Sequence, residues 1–313
     1  MRRASTLSNL IFCSFLLLPA IASSQEKPQQ NTGRPQTGWS TLVRGGAVYQ
    51  FDSDLDDGGS YSSSRFNIEV GQNYAWSRRD TASFAFSWSY DAYDFSDGES
   101  GGIAFGSPWE DIHTLSISSP LRKGIGEKWT AFLIPSLRST GESGADFNKT
   151  LTGGGVTGIS YRFGDRLTIG PGIGVFTQIE DSATLFPVLI VNWKITDQLS
   201  LETGRGLAAT LGPGLTLNYL ATPSLRLAVG GRYEKLRFRL DKNGSVASGI
   251  GEDSSFPIFA SCSYNINRKA VVSLMGGVET GGNLKLESSE GNAILEESYD
   301  SGIFSGITFS VRL

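Results

Sequence analysis

The sequence predicts an all-β chain: an antiparallel transmembrane β-barrel of about fourteen strands, with twelve as the alternative. Three observations carry this. The C-terminal segment alternates to its last residue, with Ile307, Phe309, Val311 and Leu313 on one parity and Gly306, Thr308, Ser310 and Arg312 on the other. The N-terminus has the form of an export signal. Between the two ends, short turns and long loops take turns along the chain.

The terminal segment comes first. Strand side chains alternate faces, so one face here is apolar and the other small or polar. A last strand is a free edge in a soluble sheet. A closed barrel instead pairs it with the first strand. The rival fold is a soluble, exported β-sandwich.

The start reads Met1-Arg2-Arg3, then an apolar run from about Leu10 to Ile21, ending in Ala20-Ile21-Ala22. A charged start, a short apolar core and small residues at a cleavage site define a secretory signal peptide. The run is too short for a comfortable transmembrane helix. Cleavage is expected after Ala22, with Ser24 as the alternative. The expected organisation is signal peptide 1–22, a disordered polar lead-in 23–39 with Pro28 and Pro35, and a barrel over 40–313.

From Ser40 onward the pattern is strand, turn, strand, loop. Phe66, Ile68, Val70 and Tyr74 alternate with Arg65, Asn67, Glu69 and Asn73; Phe84, Phe86, Trp88 and Tyr90 alternate with Ala85, Ser87, Ser89 and Asp91. Tight turns are expected at Ser77–Asp80, Lys123-Gly124, Gly164-Asp165, Thr196–Gln198, Thr222–Ser224 and Asn267–Lys269. Long loops are expected around Asp97–Gly102, Gly141–Lys149, 241–254 and 280–300, with a shorter one near Asp181. Thr203 to Pro213 is where a hairpin could be miscounted. Short turns at one end and longer loops at the other are the mark of outer-membrane barrels, whose strand numbers are even.

Composition agrees. Trp76, Trp88, Trp109, Trp129 and Trp193 lie near expected strand ends or on the apolar parity, as aromatic girdles would. The 39 glycines fall inside strand-like runs, where they permit the bends of a closing sheet. The expected loops are acidic (Asp52, Asp54, Asp56, Asp57, Asp94, Asp97, Glu99, Glu252, Asp253, Glu287, Glu290, Glu296, Glu297, Asp300), and the turns lean basic (Arg78, Arg79, Arg122, Lys123, Lys128, Arg166, Arg268, Lys269). Net charge is −4, and losing Arg2 and Arg3 with the signal makes it −6. No nucleic-acid partner is implied. Of the two cysteines Cys13 leaves with the signal, so Cys262 cannot form an internal disulfide.

The stretch Phe186-Pro187-Val188-Leu189-Ile190-Val191-Asn192-Trp193-Lys194-Ile195-Thr196-Asp197-Gln198-Leu199-Ser200-Leu201, taken with the terminal strand, resembles a group of bacterial outer-membrane β-barrel proteins of unassigned function. As a pattern the resemblance covers 40–313. It implies fold and location in the outer membrane, but no substrate. Such barrels often end in Phe, which the assembly machinery reads; here the last residue is Leu313, with Phe309 inside. The implied partners are outer-membrane lipid and the barrel-assembly machinery. No subunit interface is legible.

The candidate site is the lumen wall. Arg44, Arg65, Glu69, Arg138, Arg162, Glu202, Arg226, Arg232, Glu234 and Arg312 take the parity opposite the apolar residues. An Arg facing lipid at mid-membrane costs about 2–4 kcal/mol, so these should face inward. They could line a polar channel and set its selectivity, or pair and stiffen a closed lumen. Asp52, Asp54 and Asp56 resemble the start of a calcium loop, but an EF-hand needs Gly sixth and Glu twelfth, where Asp57 and Ser63 stand. A lipase or deacylase would need His113, the single histidine, beside Ser116 or Ser118. Cys262 has no second thiol or nearby histidine, and Gly170–Gly174 precedes no helix pattern; no cofactor is implied. The expected function is a passive pore for small solutes. The alternative is a structural or adhesive barrel with a closed lumen, and an outer-membrane lipase is a distant third.

Overall fold

A computed structural model describes residues 37–96, 107–204 and 214–313. The expected loop at Asp97–Gly102, most of Thr203–Pro213, the signal peptide and nearly all of the lead-in lie outside those residues.

The alternating segments form β1 (Gly38–Asp54), β2 (Ser60–Ala75), β3 (Thr81–Ser96), β4 (Asp111–Ser118 continued by Leu121–Ile125), β5 (Trp129–Glu142), β6 (Leu151–Phe163) and β7 (Leu167–Gln178). They continue as β8 (Asp181–Lys194), β9 (Leu199–Gly204), β10 (Gly214–Leu220), β11 (Leu225–Arg232 continued by Glu234–Arg239), β12 (Ile250–Asn265), β13 (Ala270–Glu287) and β14 (Ala293–Tyr299 continued by Gly302–Arg312). The two-piece strands count once because both pieces pair with the same neighbour: β3 for β4, β12 for β11, β13 for β14. The break in β4 falls at Pro120, which has no N–H for the ladder. Around the wall each strand runs antiparallel to its neighbours, and β14 closes on β1 in register from Leu42↔Arg312 to Gln50↔Phe304. Thr41 and Leu313 exchange backbone hydrogen bonds of 3.1 and 2.8 Å. The terminal edge is therefore paired, and the count is fourteen rather than twelve.

Several turns at one end are fixed by a short polar side chain. Thr196 Oγ1 accepts from the N–H of Gln198 and Leu199, Thr222 Oγ1 from Ser224 and Leu225, and Asn267 Oδ1 from Lys269 and Ala270. Such side chains mimic a backbone turn. We call this end the turn end and the opposite one the loop end. The outer surface between them is apolar, with rings at both margins. Trp39, Tyr74 and Trp76 cluster at the turn end, as do Trp129, Tyr161 and Phe163. Phe66, Trp88, Tyr90 and His113 cluster toward the loop end. Phe66 to Trp76 spans about 25 Å along the barrel axis, taking ~3.3 Å per residue and a tilt near 40°. That matches the apolar band of a membrane barrel. Trp109 departs from the expected girdle: it is buried inside the loop end.

The loop end is also where the wall stops being regular. A line of irregularities crosses five adjacent strands. β1 shifts register between Gln50 and Ser53, β11 breaks at Tyr233, and β12 shifts between Ser254 and Phe256. β13 has Gly281 at φ +59°, and β14 breaks between Tyr299 and Gly302. At Gly281 the inward parity flips, from Glu279 below to Leu284 and Leu286 above, all buried. Beyond this line the sheet bends across the mouth as a dome. Its leading edge reaches the opposite wall, where Arg239 of β11 meets Gly141 of β5 in a parallel bridge. Beneath it Phe238, Leu240, Leu284 and Leu286 pack on Tyr61, Tyr93, Trp109 and Ile112. Burying each such side chain contributes about 1.5–3 kcal/mol.

This corrects the expected loops. Most of 280–300 and the end of 241–254 are strand, and Asp52, Asp54, Asp94, Glu252, Asp253, Glu287, Glu296 and Glu297 sit on strands. These residues are poor strand formers alone, but here they pair across strands. Arg237, Glu252, Lys285 and Glu296 lie side by side on four strands, alternating in sign. Opposite charges facing each other stabilise a sheet.

Candidate lumen site

Arg65 is placed by β2 with its side chain 8% exposed, under the dome. Its Nη1 donates to Glu279 (3.0 Å) and Glu234 (3.3 Å), and its Nη2 to Asp253 (3.1 Å). Its Nε lies 3.9 Å from Asp91. Asp253 also accepts from the hydroxyls of Tyr93 (2.8 Å) and Tyr299 (3.1 Å). Arg232 Nε stands 3.2 Å from Glu234, with its guanidinium 4.8 Å from the Phe259 ring centre. Four carboxylates thus meet two cations. Asp91 comes from the wall; Glu234, Asp253 and Glu279 come from strands that bend into the dome. Arg65 therefore ties wall to roof.

A second set of bonds holds the dome's edge. Arg239, 1% exposed, donates to the Ser248 carbonyl (2.8 Å) and pairs with Glu180 (2.7 Å). Arg237 donates to the Ile179 carbonyl (3.0 Å) and pairs with Glu252 and Glu287. Glu142 accepts from the Asp241 N–H (2.8 Å). Glycine makes the roof thin enough to close. A Cβ on Gly282 would lie 1.9 Å from the Tyr299 ring, and one on Gly251 2.2 Å from Phe238.

Below the dome the inward face is mostly Ser, Thr, Asn and Gly, interrupted by Phe132 against Gly158 and Gly172, by buried Phe186, and by a buried cluster of Val48, Phe259, Met275 and Phe304. Arg44 pairs with Glu69 at 2.6 Å. Glu202 accepts from Asn218 at 2.9 Å. Arg138 is half-buried between Ser116 and Thr152 of its neighbouring strands, and no carboxylate approaches it among the described residues. Arg162, Arg226 and Arg312 are exposed at the turn-end rim, where Arg162 donates to the Glu127 carbonyl. Of the residues singled out by parity, the structure gathers Arg65, Arg232 and Glu234, pairs Arg44 with Glu69, and leaves the rest apart. Asp91, Asp253 and Glu279 complete the cluster. Asp91 and Glu279 carried a signal, since each alternates with apolar neighbours.

The remaining candidates do not assemble. Asp52, Asp54 and Asp56 are exposed, and no metal-holding group of acids or histidines occurs among the described residues. His113 is on the outward face of β4, 3.2 Å from Ser143 Oγ and stacked on Trp88, whereas Ser116 and Ser118 face inward. No carboxylate orients it among the described residues. Cys262 is exposed. The arrangement can fill, seal and charge a lumen.

No protein-family model and no curated protein matches the chain. Solved structures do. An outer-membrane channel from Pseudomonas putida F1 aligns with a TM-score of 0.50 at 10% identity, covering 92% of this chain and 100% of that one. A Pseudomonas aeruginosa FadL homologue aligns at 0.46 and 11%, covering 88% and 90%. The Pseudomonas putida toluene transporter TodX aligns at 0.39 and 10%, covering 96% and 95%. At this identity the first likeness concerns the fold alone, and the other two are looser. The fold is that of outer-membrane barrel proteins.

Proposed function

We propose that this chain is an outer-membrane channel for small solutes whose mouth is shut by the dome in the state described. The observation that carries this is the contrast within the lumen. The wall below the dome is lined mostly by small polar side chains and glycine, interrupted by an apolar cluster of Val48, Phe259, Met275 and Phe304, whereas the buried ion pairs and the larger apolar core lie at the loop end. A barrel with no passage needs no such division. The likeness to a protein described as an outer-membrane channel supports the same reading. On it, residues 1–22 are removed on export, 23–39 form a polar lead-in, and the barrel-assembly machinery inserts the chain into outer-membrane lipid. The loop end faces outward, and the chain is not an enzyme.

The test is single-channel recording of the refolded, signal-free protein in a planar bilayer. Brief openings separated by long closures are expected. A barrel that inserts, shown by heat-modifiable gel migration, yet never conducts even with Arg65 replaced by Ala would sink the channel. The packed apolar core under the dome favours one second reading, a permanently closed surface barrel, and that result would support it.

A further inference from the structure

We propose that the solute is a small anion, selected by a ring of cations at the turn end of the lumen. The inference rests on the channel reading and adds the substrate class.

The ring follows from register. Arg122 pairs with Thr81 and Phe132, Arg162 with Thr168, Lys194 with Ser200, Arg226 with Ser263, and Arg312 with Leu42. Each therefore has the parity of the inward face. Each lies within a few residues of a short turn or of the terminus. They stand on β4, β6, β8, β11 and β14, so every gap around the fourteen-strand rim is two to four strands. Five cations are thus spread around the whole circumference rather than gathered in a patch. Deeper in, Arg138 adds a sixth.

None of the six forms an ion pair with a carboxylate among the described residues, although turn acids such as Asp80 and Asp197 pair elsewhere, with Lys123 and Arg166. Between this rim and the Arg65 cluster the described inward acids are Glu69, which Arg44 neutralises, and Glu202. The lower lumen therefore carries net positive charge. Like charges held around a narrow, low-dielectric passage repel one another and focus the field inside it. Mobile anions relieve that repulsion and are concentrated there. Arg and Lys rings are how pores select anions and phosphates. Arg138 makes the same point singly, because a half-buried guanidinium without a carboxylate has lost hydration with no internal compensation. The chemical class is a small carboxylate or phosphate.

The experiment measures the reversal potential of the open channel under a potassium chloride gradient, with inorganic phosphate then replacing chloride. A chloride-to-potassium permeability ratio above unity is expected. It should fall toward unity when Arg162, Arg226 and Arg312 are all changed to Gln, and below unity when they are changed to Glu. These side chains are exposed, and heat-modifiable migration checks that the variants fold. A cation-selective wild-type channel, or selectivity indifferent to all three charges, would overturn the inference while leaving the channel intact. No conductance in wild type or in Arg65→Ala would overturn both.

Discussion

The two ends of this barrel use inward charge in opposite ways. At the loop end Arg65 and Arg232 are buried among Asp91, Glu234, Asp253 and Glu279, and the acids outnumber the cations by two. At the turn end the inward cations of the rim have no acid partner among the described residues. Compensated charge joins pieces of protein together. Uncompensated charge awaits something from solution. The same alternation of residues generates both, and only the partners distinguish them.

The largest test of this contrast is Arg65→Ala. It leaves Asp91, Asp253 and Glu279 under the dome without a cation partner, Glu234 keeping Arg232, so a loss of about 3–5 kcal/mol is expected, read as a lower midpoint of heat-modifiable migration, together with longer open times. Arg138→Ala strands no acid. A change within about 0.5 kcal/mol is expected, with weaker anion selectivity. Equal losses in the two variants would erase the distinction between the ends. Gly282→Ala comes next. Its new Cβ would overlap the Tyr299 ring, and overpacking of this kind costs about 1–3 kcal/mol. Opening without a matching drop in stability would show that the ring seals without supporting the fold.

A smaller effect concerns current. Acids dominate the loop end and cations the turn end, so conductance at low salt should differ between the two voltage polarities, and the difference should shrink as salt screens the charges. Symmetric current at low salt would contradict the asymmetry. The smallest effect is at a turn. Asp80 accepts from the Ser77 hydroxyl and the Gly124 N–H, which hold its carboxyl below the usual aspartate value. A lowered folded value means its contribution is present above about pH 4 and lost as pH falls through the lowered value. A lower protection factor at Gly124, taken against the intrinsic amide rate at each pH, is expected on acidification, and its absence in Asp80→Asn checks the assignment.

Much of the wall was legible in the residues. Ile307 to Leu313 announced a strand that must be paired, and Thr196, Thr222 and Asn267 announced their turns. The dome was not legible, because its strands are held by partners far away in sequence. Arg65 meets Glu234, Asp253 and Glu279 across separations of 169, 188 and 214 residues. Glu252 and Glu296 belong to a sheet because Arg237 and Lys285 lie between and beside them, and no local propensity says so. Parity placed the candidate residues on one face. It could not say which would meet, since that depends on the bend at Gly281 and Tyr233. Lys194 escaped notice because it ends its strand.

The bend at Gly281 has a mechanical consequence. The roof is an extension of the wall strands and has no separate fold, so it cannot be ejected into either compartment or exchanged for another plug. It can only tilt. On the channel reading the aperture would be a slit between the dome's edge at Arg239 and the wall at Gly141, and its width, rather than the bore of the fourteen-stranded cylinder, would set the largest molecule that passes.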